Sequence, residues 1–174
     1  MASPTESPAT AGGDATILSL RNSLCSEKTP LPLRFRALFS LKHLARQSTS
    51  AESEAAIDAI AAAFTSPSAL LKHELAYCLG QTANAASVPH LRRVLEDLGE
   101  DPMCRHEAAE ALGALGDTAS LELLQRFRDR EGEEVVVKET CEIAIARLEW
   151  ESSTHRQQEK LRQRSVEPLA ASRV

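Results

Sequence analysis

The chain has 174 residues, 43% hydrophobic but only 3% aromatic, with 20 Lys and Arg against 25 Asp and Glu for a formal net charge of -5. That length fits one ordinary domain, and an apolar content supplied mainly by alanine and leucine favours helix and argues against a β-sandwich or large sheet. The acidic balance, with no long basic tract, argues against nucleic acid as a partner, because such affinity comes mainly from Lys and Arg neutralising phosphates.

Residues 1–13 (MASPTESPATAGG) contain only Met1 as a large apolar side chain and are expected as a disordered arm. They also lack the basic start and apolar stretch of a signal peptide, and no later run approaches the roughly 20 apolar residues that span a bilayer. A soluble, cytoplasmic protein with no membrane partner is expected. From Asp14 onward apolar residues recur at helical spacing, as in Leu33, Ala37, Leu38, Leu41 and Leu44, then Ile57, Ile60, Ala61 and Phe64. Breaks fall at Pro30 and Pro32, Ser66–Ser68, Gly99–Pro102, Gly116–Asp117 and Gly132, where helices stop. The repeat domain is expected over 14–150. After Trp150 the sequence has few apolar residues and a mixed-charge stretch from His155 to Arg164, so 151–174 is expected as a polar helix or loose tail. Cys25, Cys78, Cys104 and Cys141 form no CxxC pair and are expected as reduced, partly buried thiols.

Four segments align: LRFRALFSL (33–41), LKHELAYCL (71–79), CRHEAAEAL (104–112) and VKETCEIAI (137–145). Their third residues, Phe35, His73, His106 and Glu139, are separated by 38, 33 and 33 positions. Second amphipathic segments follow, such as 87–98 and 118–127. The pattern predicts an all-α, HEAT-like α-solenoid of about four helical hairpins, each burying its apolar face against its neighbours.

Two of the four aligned helices carry an adjacent His-Glu pair at the same register: His73-Glu74 and His106-Glu107. The other two hold Phe35-Arg36 and Glu139-Thr140 there, so stacking does not require the pair. A lone His-Glu on a helix is ordinarily a solvated surface pair; two in register one repeat apart weigh against that. Equivalent helices of adjacent hairpins lie about 8–10 Å apart, so both histidines are expected to point to a common place. Imidazole with carboxylate suits iron, manganese or zinc better than calcium. Tyr77 and Glu110 lie one turn further along the same faces, as partners of the ligands or as substrate contacts. His43, His90 and His155 show no such register and are expected as surface or capping residues. Gly80 and Gly113, inside helical patterns, point to close helix packing.

The segments ALLKHELAYCLGQ (69–81) and PMCRHEAAEALGALGD (102–117) resemble deoxyhypusine hydroxylase. RFRALFSL (34–41) and ETCEIAIARLEW (139–150) are similar to that family's first and fourth repeats. The resemblance implies a HEAT-repeat, non-haem di-iron monooxygenase that uses O₂ to hydroxylate the deoxyhypusine side chain of translation factor 5A. It implies His73, Glu74, His106 and Glu107 as ligands of Fe(2+), with two irons per complete site. Glu110 and Tyr77 are expected as substrate-binding residues, the carboxylate suiting a cationic amine. The family carries four His-Glu motifs in two related halves, and this chain carries two, corresponding to the amino-terminal half. A truncated product, an incomplete gene model, and a half that forms a homodimer all fit that count. The alternative reading is a catalytically inert HEAT-repeat module that binds metal or a protein partner.

Overall fold

Residues 8–47, 50–153 and 158 are described by the computed structural model. Among them run α1 (Pro8–Cys25), α2 (Leu31–Gln47), α3 (Ser50–Ala61), α4 (Ala69–Gly80), α5 (Val88–Glu96), α6 (Pro102–Leu115), α7 (Leu121–Asp129) and α8 (Val135–Ser152), with no strand. The all-α expectation is met. One boundary differs. Residues 8–13, expected in the arm, continue α1 backward; a helix anchored by buried Ile17 and Leu24 extends cheaply once nucleated. At the other end α8 continues through Ser152, into the segment expected as a polar helix or loose tail. Residues 1–7 of the expected arm, and the expected tail beyond Ser153 apart from Gln158, lie outside the described residues.

Local sequence explains where the helices begin and end. The Ser68 hydroxyl accepts from the Leu71 N–H at 3.2 Å to open α4, and the Asp101 carboxylate accepts from the Met103 N–H at 2.8 Å to open α6. Pro102 follows at the first turn of α6, where its missing N–H costs nothing. Gly116 closes α6 with φ of 74°, a left-handed conformation that favours glycine.

The even-numbered helices α2, α4, α6 and α8 stack side by side into one row, and the odd-numbered helices flank it. Fully buried Leu38, Leu41, Leu71, Leu75, Leu79, Leu112 and Leu148 fill the seam between the layers, joined by Leu91, Leu95 and Leu124 from the flanking helices. Burying each such side chain contributes about 1.5–3 kcal/mol. The pairing of helices differs in phase from the sequence reading. Instead of following its partner, a flanking helix precedes it in three of the four cases: α1 packs on α2, α5 on α6 and α7 on α8.

The residue before each aligned marker supplies the reason. Arg34 Nε donates to the Leu24 carbonyl at 2.8 Å, Arg105 Nε to the Leu95 carbonyl at 3.3 Å, and Lys138 Nζ to the Arg130 carbonyl at 3.3 Å. Each bond satisfies a carbonyl at or just past the end of the preceding flanking helix and ties that end to the row. Lys72, at the same register, points the other way and binds Glu100 at 2.5 Å. Correspondingly α3 is the exception in the flanking layer, packing mainly on α2 rather than α4. It also lies within the one 38-residue step, which holds the 3₁₀ turn Ala62–Thr65 as well.

Close approach within the row depends on two glycines. A Cβ at Gly80 would stand 2.8 Å from Ala111 Cβ, and one at Gly113 would stand 2.9 Å from Ala144 Cβ. The two contacts are one repeat apart and mutually equivalent, so the α4–α6 and α6–α8 seams share one geometry. This bears out the packing role expected for both glycines.

Candidate metal site

In α4, Leu70, His73, Glu74 and Tyr77 occupy one face while Leu71, Leu75, Cys78 and Leu79 are buried on the other. In α6, Met103, His106 and Glu110 fall at the matching positions, and Glu107 turns into the seam between the helices, where it is 7% exposed. The tight seam brings the imidazoles of His73 and His106 to 5.5 Å between ring centres, inclined by 39°. The common focus expected for the two histidines is therefore present.

His73 Nε2 lies 3.2 Å from Glu107 Oε2, and its Nδ1 lies 3.5 Å from Glu74 Oε1. One donor atom each from His73, His106 and Glu107 lies within 4.8 Å of the others, the span a single ion bridges. Glu74 is not in that group. Of the four residues expected as ligands, three converge directly and the fourth stands behind His73. No cysteine joins them among the described residues.

Both ring nitrogens of His106 are buried without a hydrogen-bond partner. Leaving such a group unpaired costs about 1–3 kcal/mol, and an orphaned buried donor or acceptor in an ordered core calls for an ion or a catalytic role. Burial pushes the His106 pKa below its ordinary value of 6.5, His73 pushes the same way, and Glu110 opposes. Neutral imidazole, with a free lone pair, is the form that binds metal. Burial raises the Glu107 carboxyl, while His73 pulls it down and the Glu110 and Glu74 carboxylates push it up. A cation among these groups would relieve both the carboxylate repulsion and the orphaned imidazole. The donor set fits a borderline transition metal.

Around the donors, the exposed side chains Leu70 and Met103 and the Asp101 carboxylate line a recess of about 350 Å³ with His73 and Glu74. Tyr77 is exposed one turn beyond His73 on α4, its ring 5.8 Å from Lys42 Nζ. Glu110 opens instead onto a second recess of about 280 Å³, with Thr140, Ile143 and Arg147 between α6 and α8. The two residues expected to contact substrate thus flank the donors without sharing a hollow. A larger hollow of about 590 Å³ lies on the flanking layer near Glu96 and Phe127, away from these groups. His43 is exposed and His90 pairs with Asp58 at 3.0 Å, as surface histidines; His155 lies outside the described residues. All four thiols are free.

Sequence reading missed the basic residues at Arg34, Lys72, Arg105 and Lys138. Their steps of 38, 33 and 33 equal those of the markers one position later, so the same arithmetic contained the signal.

Curated deoxyhypusine hydroxylases are similar over most of this chain. That of Neurospora crassa is 73% identical over 158 residues, covering 88% of this chain and 49% of its own length. That of Gibberella zeae is 62% identical over 153 residues, covering 86% and 44%. A solved structure of human deoxyhypusine hydroxylase in complex with glycerol aligns with a TM-score of 0.75 at 42% identity, covering 87% of this chain and 48% of that one. The chain spans about half the length of the relatives it matches. The HEAT repeats family matches residues 57–146, more than half of the chain and centred on the α4–α6 seam, so this chain belongs to the HEAT-repeat family.

Proposed function

We propose that this chain supplies a metal-binding half of a deoxyhypusine monooxygenase site, serving the iron- and O₂-dependent hydroxylation of the deoxyhypusine side chain of translation factor 5A to hypusine. The observation that carries the reading is His106: a buried imidazole with no partner, facing His73 and Glu107 within 4.8 Å. The names borne by relatives 62–73% identical to the chain give the site its chemistry. His73, His106 and Glu107 hold the ion, and Glu74 orients the His73 ring through Nδ1, the role carboxylates commonly take behind metal-bound histidines.

Bound at the complete site, two Fe(2+) ions would supply the reduction of O₂ and the insertion of one oxygen atom into a C–H bond, the other leaving as water with electrons from a reductant. The chain's own contribution is positioning. Burial keeps His106 neutral and available. Leu70 and Met103 place an apolar lip beside His73 that limits water there. The Glu110 carboxylate attracts the ammonium groups of an aminobutyl side chain, and Tyr77 borders its path. Three donors can hold one ion with its other positions open, and the residues that complete a two-iron site would come from a second copy of this chain in a homodimer or from further chain. The reaction belongs in the cytoplasm, where a translation factor works; no described helix is long and apolar enough to cross a membrane.

A second reading, a HEAT module that binds a protein and turns nothing over, draws on the exposed Leu70, Met103 and Ile143 near the same site. Iron content per chain, solution mass and turnover of a deoxyhypusine peptide separate the two. Iron that disappears in His73→Ala and His106→Ala, together with turnover in the dimeric or completed protein, supports the hydroxylase. A folded protein that takes up no iron and keeps a protein partner after both replacements supports the module.

A further inference from the structure

The seam that carries the donors is closed at both ends. At its amino-terminal end Lys72, adjacent to His73 in α4, binds Glu100 at 2.5 Å, with both side chains at most 15% exposed. The same Glu100 oxygen accepts the Asp101 N–H at 2.7 Å, and Asp101 caps α6 through Met103. Beside them, Cys104 Sγ donates to the Ala69 carbonyl at 3.3 Å. At the other end Gly80 meets Ala111. The site lies between these closures.

The device recurs one repeat later. Arg105 binds Glu133 through two bonds of 2.9 and 2.5 Å, and Glu133 accepts the Glu134 N–H at 2.9 Å at the start of α8. Each acid stands 28 residues beyond its base. In the α6–α8 seam, however, Glu139 and Thr140 replace the His-Glu pair, so the clamp there holds helices and nothing more.

We propose that Lys72 and Glu100 are positioning residues for the metal site: their ion pair sets the axial register of α4 against α6 and thereby the approach of His73 to His106 and Glu107. The inference rests on the metal reading above. One turn of slippage is 5.4 Å, comparable to the whole separation of the two rings, so a seam free to slide cannot keep three donors in reach of one ion. Lys72 is suited to the task because, alone among the four equivalent basic residues, it makes no bond to the preceding flanking helix. Its anchoring is committed to Glu100, in the turn that leads into α6.

Co(II) binding to the full chain, read by titration, together with ring-to-ring nuclear Overhauser contacts between His73 and His106 in the metal-free protein, tests the idea. Lys72→Met and Glu100→Ala are each expected to weaken Co(II) binding about tenfold or more, the scale of outer-sphere losses at metal sites. The double variant should be no worse than either single one, helix content should be retained, and Lys72→Arg should restore binding. Lys138→Met, the same residue type at the same register in α8, should bind as the unaltered protein does. Unchanged binding in Lys72→Met or Glu100→Ala, or an equal loss in Lys138→Met, overturns the proposal. Should the unaltered chain take up no Co(II), the metal reading fails by itself. The ring contacts then decide: their loss in Lys72→Met upholds the register role, and their persistence removes it.

Discussion

His73 Nε2 is closer to Glu107, across the α4–α6 seam at 3.2 Å, than His73 Nδ1 is to its own sequence neighbour Glu74, at 3.5 Å. The pair written in the sequence as His-Glu is thus divided in space: His73 meets the glutamate of the next repeat. The functional unit is the seam between two repeats.

Unequal roles for the two glutamates follow. Glu107→Gln and His106→Ala are expected to weaken Co(II) binding by more than about 100-fold, whereas Glu74→Gln costs about tenfold, the outer-sphere scale. Titration followed by visible absorption measures all three. Equal losses in Glu74→Gln and Glu107→Gln would make Glu74 a direct ligand.

A site kept for binding is a liability to the metal-free fold. His106→Leu removes two buried nitrogens that no group satisfies and is expected to stabilise the metal-free protein by about 1–2 kcal/mol in urea unfolding while abolishing metal binding. If it destabilises, His106 has a packing role that its missing hydrogen bonds conceal.

Gly80→Ala and Gly113→Ala each gain about 1 kcal/mol of helix propensity, yet each new methyl meets an alanine Cα at 3.0 Å. Overpacking of this kind costs about 1–3 kcal/mol, so both variants are expected to melt lower. Ala144→Gly should recover part of the loss in Gly113→Ala, which a thermal double-mutant cycle would read.

Arg105 and Glu133 form a buried two-pronged pair, with side chains 4% and 1% exposed. Arg105→Met leaves a buried carboxylate with only the Glu134 N–H and the half-exposed Arg130 as partners and is expected to cost about 3–5 kcal/mol. Arg126→Ala, which breaks an exposed pair with Glu96, should cost less than about 1 kcal/mol. Burial opposes ionisation of Glu133, but Arg105, the Glu134 N–H and Arg130 outweigh it, so its pKa lies below the ordinary 4.5. The pair's stabilisation is complete above pH 4.5 and is lost as pH falls through the lower folded-state value. Glu133→Gln should therefore flatten the acid limb of stability against pH, and an unchanged limb would assign acid sensitivity to other carboxylates.

Burial pushes the Cys78, Cys104 and Cys141 thiols up to about 12, and Cys25, half-buried, is raised as well. Thiolate is the reactive form. The native protein is expected to take up an alkylating reagent slowly, Cys25 first, and the other three only on unfolding. Mass spectrometry of partly labelled protein gives the order.

The 33-residue spacing of His73 and His106, the helical pattern and the two internal glycines were enough to specify a repeat stack with two imidazoles facing one place. These features are periodic, and periodicity is what one-dimensional sequence records. Tertiary structure alone decided which helix each flanking segment pairs with, because that depends on Arg34, Arg105 and Lys138 reaching carbonyls eight or ten residues back. It also decided that Glu107 enters the donor cluster while Glu74, at the same repeat register, stays behind His73. Two residues at the same register of a repeat have the same local environment but different neighbours across the seam. α4 faces α2 on one side and α6 on the other, and only the second of those helices carries a histidine at the matching register, where α2 has Phe35.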